Sequence, residues 1–423
     1  MTDQPARQSD LRLWQHGAIF LLACAVIVWR RPDAVFHAQF YAEDGHVWFA
    51  EAYNLGWWPA LFHTFFGGYF ETLPRLAASL ALLVPLALVP LLYNLIAIVF
   101  QALPVNMLLT ARSSAWGSLR FRLLLASMYL ALPNCNEVYL GMENTQWQLV
   151  LIAFLLLTEC SSQGIAGRIF DILILLLCGL TGPFCIFLLP ISIFLAWKYR
   201  DYRRWVQAGI LASSSLIQSW ALLFLAHASR AHRALGASPQ LFARILAGQI
   251  YFGDLLGSNG LAARPGLWIS IFLICAAIGG TALIVICCLR SPLAMKLFLI
   301  FSAAVFAAGL INPFEWDHPS MTIWDVYAGV PGLRYWFFPA LAFAWALLWG
   351  TRSRIAPVRA VSLVLLCLMC FGIVRDWRQP TYSDTHFAES VKRFEAAPPG
   401  TVVTIPEYPQ GWTMQLVKHA RGR

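Results

Sequence analysis

The sequence predicts an all-α polytopic membrane protein with about 11 transmembrane helices, or ten to twelve. Three observations carry this. Of 423 residues, 59% are hydrophobic and only 12% charged. Mean hydropathy is +0.64, whereas a soluble domain carries about 25% charged residues. The apolar runs recur along nearly the whole chain. Too few polar side chains remain to clothe a water-facing surface of this size.

The first run is about Trp14 to Trp29. Arg30 and Arg31 follow it directly and no small-x-small cleavage site is convincing, so it reads as a retained span rather than a signal peptide. Further spans are predicted at about 91–110, 121–133, 148–160, 169–181, 183–197, 206–226, 267–289, 294–311, 336–350 and 358–374. Several fall short of the ~20 residues a span needs. Gly182-Pro183 marks a tight turn between two of them. Residues 72–90 are broken by Pro74, Pro85, Pro90 and Arg75. They read as a juxtamembrane helix at the interface rather than a crossing.

Charge sets the orientation. With the N-terminus cytoplasmic, the short inside segments and the N-terminus hold 15 of the 30 Lys and Arg. They hold only five of the 21 acids. Basic residues in short loops are the positive-inside signal, so the net charge of +9 reflects topology and not nucleic-acid binding. The short basic loops and retained first helix suit a bacterial inner membrane. Residues 1–374 then form the membrane domain, with a first periplasmic loop at 30–90. Residues 375–423 form a periplasmic tail too short for a core of its own. The ten cysteines show no disulfide or zinc spacing.

Candidate chemistry lies in the outer loops. Glu43-Asp44-Gly45-His46 places two carboxylates about a dozen residues past the first span. They suit a base, a metal ligand or both, although Asp-Gly is also common turn chemistry. Glu71 and Arg75 follow, and Arg75 on an interfacial helix suits a phosphate or ordinary snorkelling. Glu143, Asn144, Gln146 and Trp147 run into a span, where polar groups are costly unless they face a cavity or protein. Arg334 and Tyr335 enter a span from outside, a position suited to an anionic headgroup. Glu315, Asp317 and His318 form a weak metal pattern. Trp412 suits either an acceptor contact or a packing anchor. No Walker A loop and no GxSxG elbow is present.

In order, the acidic pair Glu43-Asp44, the segment 57–90, the motif Glu143-Asn144-Thr145-Gln146-Trp147 and Gly332-Leu333-Arg334-Tyr335 resemble the GT-C superfamily of membrane glycosyltransferases. No WWDYG-like signature of oligosaccharyltransferases is present. The resemblance implies transfer of a sugar from a polyprenyl-phosphate donor to a glycan, lipid or protein acceptor, on the periplasmic side and with inversion. It implies Asp44 as base, supported by Glu43, and Arg334 or Arg75 at the leaving phosphate. His46, Glu71, Glu143, Asn144, Gln146, Trp147, Tyr335 and Trp412 are then the candidates to contact sugar or acceptor. A divalent cation (Mg or Mn) on Glu43 and Asp44 is left open. The alternatives are a transporter or flippase of a lipid-linked sugar, and a glycan polymerase or ligase using a diphosphate-linked donor. Acids clustered at one face favour chemistry there over passage across the bilayer.

Overall fold

The computed structural model describes residues 12–64, 68–110, 115–159, 162, 164–225, 234–258, 270–312 and 320–420. Glu315, Asp317 and His318 lie outside these residues. The protein is mostly helical. The longer helices are α1 (Leu13–Arg30), α2 (Thr72–Ala81), α3 (Val89–Leu109), α4 (Leu119–Ala131), α5 (Thr145–Thr158), α6 (Ile165–Gly179) and α7 (Cys185–Tyr199). They continue with α8 (Tyr202–Phe224), α9 (Ser270–Leu289), α10 (Leu293–Ile311), α11 (Phe337–Gly350), α12 (Ala356–Arg375) and α13 (Phe387–Ala396).

Every predicted apolar run coincides with a helix, because a chain in lipid must satisfy its backbone within the segment. Among the described residues, however, five helices are long and apolar enough to cross a membrane: Leu86–Leu109, Tyr202–Phe224, Ile271–Leu289, Leu293–Ile311 and Ala356–Arg375. That falls short of the eleven expected. Trp14–Arg30, Thr145–Thr158 and Cys185–Tyr199 are apolar but shorter. Helix α2 has ten residues, about 15 Å, half the thickness of a hydrocarbon core. It adds no crossing of its own.

The bundle is layered. No residue from Leu149 to Leu157 is more than 4% exposed. A helix apolar all round is an interior one, and α5 is the centre together with α11, which is buried in the same way. Edge-on contacts of Trp116 with Phe154 and Trp345 fill the space between them. The windows in α9 and α12 are only 17% buried, so these two lie at the periphery. Gly350 lets α9, α11 and α12 close on one another, since a Cβ there would overlap Ser362 and Cys287.

The tail departs from the all-α expectation. Strands β1 (Val402–Glu407) and β2 (Trp412–Val417) pair antiparallel, with Val402 opposite Val417 and Glu407 opposite Trp412. Val402-Val403-Thr404-Ile405 is β-branched throughout, which suits a pleated surface. Ile405, Met414 and Leu416 are its buried face.

Hydrogen bonds define two ends of the bundle. At one, Arg30 closes α1 by donating to the carbonyls of Leu130 and Leu132 at the end of α4 and of Asp376 and Trp377 beyond α12. Arg31 donates to the carbonyls of Tyr139 and Pro380 and to the Tyr382 hydroxyl. Buried arginine is tolerated there because so many of its donors are served. At the other end, Arg122 donates to Leu108 O and Arg204 to Leu157 O and Glu159 O. Each of the segments 40–46, 70–75, 134–147 and 332–335 is tied to the first end.

Candidate active site at the loop end

The first loop turns into a π-wound helical segment, Asp44–Phe49. Ala42 enters it at φ 46°, a left-handed conformation that costs a non-glycine residue of order 1–3 kcal/mol. Two backbone hydrogen bonds hold it: Ala42 N donates to Tyr408 O, and Tyr408 N donates to Phe40 O. At about 1 kcal/mol each, these are of the size needed. The tail therefore clamps the loop. Asn134 and Leu140 also have left-handed backbones, at φ 50° and 58°, so the strain concentrates in the segments that meet here.

Asp44 is 2% exposed. Its Oδ1 accepts from Glu143 N at 2.8 Å and its Oδ2 from Met142 N at 3.2 Å. Burial pushes its pKa well up; these two N–H groups oppose the rise, and the charges of Glu43 and Glu407 add to it. Burial first, then Glu43, raises the Glu143 pKa well above the ordinary carboxylate range.

Arg334 closes the cluster. Its Nη1 donates to Glu137 Oε1 and to Glu143 Oε1, each at 2.8 Å, and its backbone N donates to Glu137 Oε2 at 2.7 Å. Burial works against its charge, but Glu137, Tyr335, Glu143 and Glu43 outweigh that and leave its pKa raised. The guanidinium lies over Tyr335 at 5.6 Å. Glu137 N in turn donates to Gly332 O, and Asn144 Nδ2 to Glu137 O.

Glu71 is 2% exposed and sits beside the α6–α7 turn, where it bridges Thr181. Burial raises its pKa well above the ordinary value, against the charge of Arg75 and a hydrogen bond from Gln146. Gly182 makes that approach possible. Its φ is +72°, and a Cβ there would overlap Gln146. Trp147 packs on Phe184, Phe338 and Tyr335 as an aromatic wall.

Two expected residues stand elsewhere. Arg75 is 1% exposed and pairs with Glu51 at 2.8 Å and with Ala60 O at 2.7 Å, so it is held within the first-loop fold rather than at a lipid surface. His46 Nδ1 meets Glu407 Oε1 at 2.8 Å, with Trp412 edge-on to its ring. Burial opposes the His46 charge, and the Glu407 hydrogen bond and charge raise its pKa net. Gly45 leaves room for Glu407, whose carboxylate a Cβ would overlap.

The sequence reading missed Glu137, Glu51, Glu407 and Tyr408. Glu137 lies in a recognised polar segment, six residues before Glu143, and was not singled out. Glu407 follows a β-branched alternating run, the one signal that marks it as inward-facing.

Among the described residues, no group of three His, Cys, Asp or Glu converges to hold a metal ion. The acids of the cluster lean on Arg334 and on backbone N–H groups instead. The chain matches no protein-family model and no curated protein.

Proposed function

We propose that the chain is a GT-C-type membrane glycosyltransferase that moves a sugar from a polyprenyl-phosphate carrier to a hydroxyl of a glycan, lipid or protein acceptor. In this reading the loop end faces the periplasm of a bacterial inner membrane. The N-terminus is cytoplasmic, the tail periplasmic, and the shorter helices α1, α4, α5, α6, α7 and α11 join the five long ones in an eleven-segment bundle. One observation carries the proposal: the acidic pair of the first loop, the 137–147 motif and Arg334, separated by about 100 and 190 residues, meet in one hydrogen-bonded cluster.

Asp44 takes the proton of the acceptor hydroxyl. The freed oxygen forms a bond to the anomeric carbon as the bond from that carbon to the phosphate oxygen breaks on the opposite face. The electron pair leaves with the phosphate. A base works best with a pKa near the operating pH, and burial moves Asp44 in that direction. Each Asp44 oxygen accepts one N–H and keeps a second lone pair. Among the described residues the Arg334 side chain engages carboxylates through Nη1 alone, and in this reading Nε and Nη2 serve the departing phosphate. Gln146 and Glu71 are placed to orient sugar hydroxyls.

A specific observation supports Glu43 as the competing base: no donor among the described residues reaches its Oε2. Sugar transfer from a panel of polyprenyl-phosphate sugars to cell-envelope acceptors, measured in nanodiscs, separates the two. Loss of transfer in Asp44→Asn with substantial transfer in Glu43→Gln is the expected result. The reverse pattern moves the base to Glu43. Carrier movement between leaflets without turnover of any donor removes the enzyme reading.

A further inference from the structure

We infer that the end of the bundle opposite the site holds a binding pocket for the phosphate headgroup of an anionic lipid. The pocket has a volume of about 270 Å³ and lies among the ends of α9, α11 and α12. Arg290, Arg352 and Arg354 all line it. Arg352 and Arg354 share one turn, and the fold brings Arg290 to them from a separate turn about 60 residues earlier. None of the three pairs with a carboxylate among the described residues, in contrast to Arg75 and Arg334. Three like charges around one cavity repel one another, and an anion relieves that repulsion.

The donors suit phosphate oxygens. Arg352 lies over the rings of Phe121 and Trp349 at 4.9 and 5.2 Å. Stacking uses the faces of a guanidinium and leaves its in-plane N–H groups for an anion. Ser291 lines the same pocket and is buried.

The surroundings select a lipid over a free anion. Ile286 lines the pocket and is itself exposed. Val285 and Leu289 on α9, and Leu363 and Val364 on α12, are 49–68% exposed. These apolar strips belong to the two most peripheral long helices. Acyl chains can run along them while the headgroup stays in the basic pocket, with Trp349 at interfacial depth. Free phosphate would gain nothing from this wall. The inference concerns residues at the other end from the proposed chemistry and stands apart from it.

Native mass spectrometry of the full chain tests it, with phosphatidylglycerol and phosphatidylcholine added in turn. The parent should retain phosphatidylglycerol preferentially. Arg290→Gln/Arg354→Gln should lose this affinity by about a factor of five per arginine, hence about 25-fold. Arg290→Lys/Arg354→Lys should recover most of it, and phosphatidylcholine retention should not change. Three outcomes overturn the inference: no lipid preference in the parent, equal phosphatidylglycerol affinity in parent and Gln variant, or displacement of the lipid by inorganic phosphate, which would make this a free-anion site.

Discussion

The acidic cluster at the loop end and the arginine pocket at the other end handle charge in opposite ways. At the loop end, Asp44, Glu71, Glu143 and Arg75 are all under 9% exposed, and the partly buried Arg334 bridges two glutamates. At the other end, Arg290, Arg352 and Arg354 stay accessible and have no carboxylate partner among the described residues. The difference teaches what each kind of charge is for. Burying an ion is costly and the cost is met only by close partners, so the buried acids of the cluster add little to stability. Accessible arginines carry little such cost. They suit orientation in the membrane and, at the pocket, contact with lipid.

The largest effect that sharpens this contrast is on chemistry. Asp44→Asn should lower sugar transfer by about 10²- to 10⁴-fold, whereas Lys198→Gln at the opposite end should leave it unchanged. Equal losses in both would erase the functional distinction between the ends. Next comes stability. Arg334→Ala strands Glu137 and Glu143 and should cost about 3 kcal/mol, the lower end for a broken buried pair, since its side chain is 16% exposed. Adding Glu143→Gln should recover part of that loss in a double-mutant cycle. Thermal unfolding in nanodiscs reads both.

A pH effect follows in size. The folded pKa of His46 lies above its ordinary value, so its pairing with Glu407 stabilises fully below the ordinary histidine pKa of about 6.5. That stabilisation is lost as pH rises through the folded value. Hydrogen exchange of β1 and β2 should therefore quicken on going from pH 6 to pH 9, and His46→Gln should flatten the change. The smallest effect belongs to an exposed arginine away from the pocket. Arg359→Gln should shift stability by no more than about 0.5 kcal/mol.

Much of the helical layout was legible because apolar runs must form helices in lipid, whatever they pack against. The Gly182 turn was legible for the same reason as any positive-φ glycine. The cluster was legible only in outline. Glu43, Asp44, Glu143 and Arg334 were visible as polar groups at the ends of apolar runs, but their pairing was not. That Glu137 rather than a substrate takes two of the Arg334 N–H groups depends on Gly332 and Asn134 bringing two distant loops together. Likewise, Arg75 gives no sign in the sequence that Glu51 awaits it. The β-hairpin was missed because hydropathy read the tail as a remnant after the last span. Its β-branched alternation carried the answer. Fewer of the described helices reach full span length than the apolar runs suggest, because an apolar run fixes a helix without fixing its length.

The Tyr408 clamp on Ala42 has a consequence for how the protein is made. Residues 40–42 leave the ribosome early, and residue 408 follows more than 360 residues later. Until it arrives, the first loop must wait in a conformation that its own sequence resists. A chain whose synthesis stalls before that point would carry every acid of the cluster and still lack the strand that holds them in place.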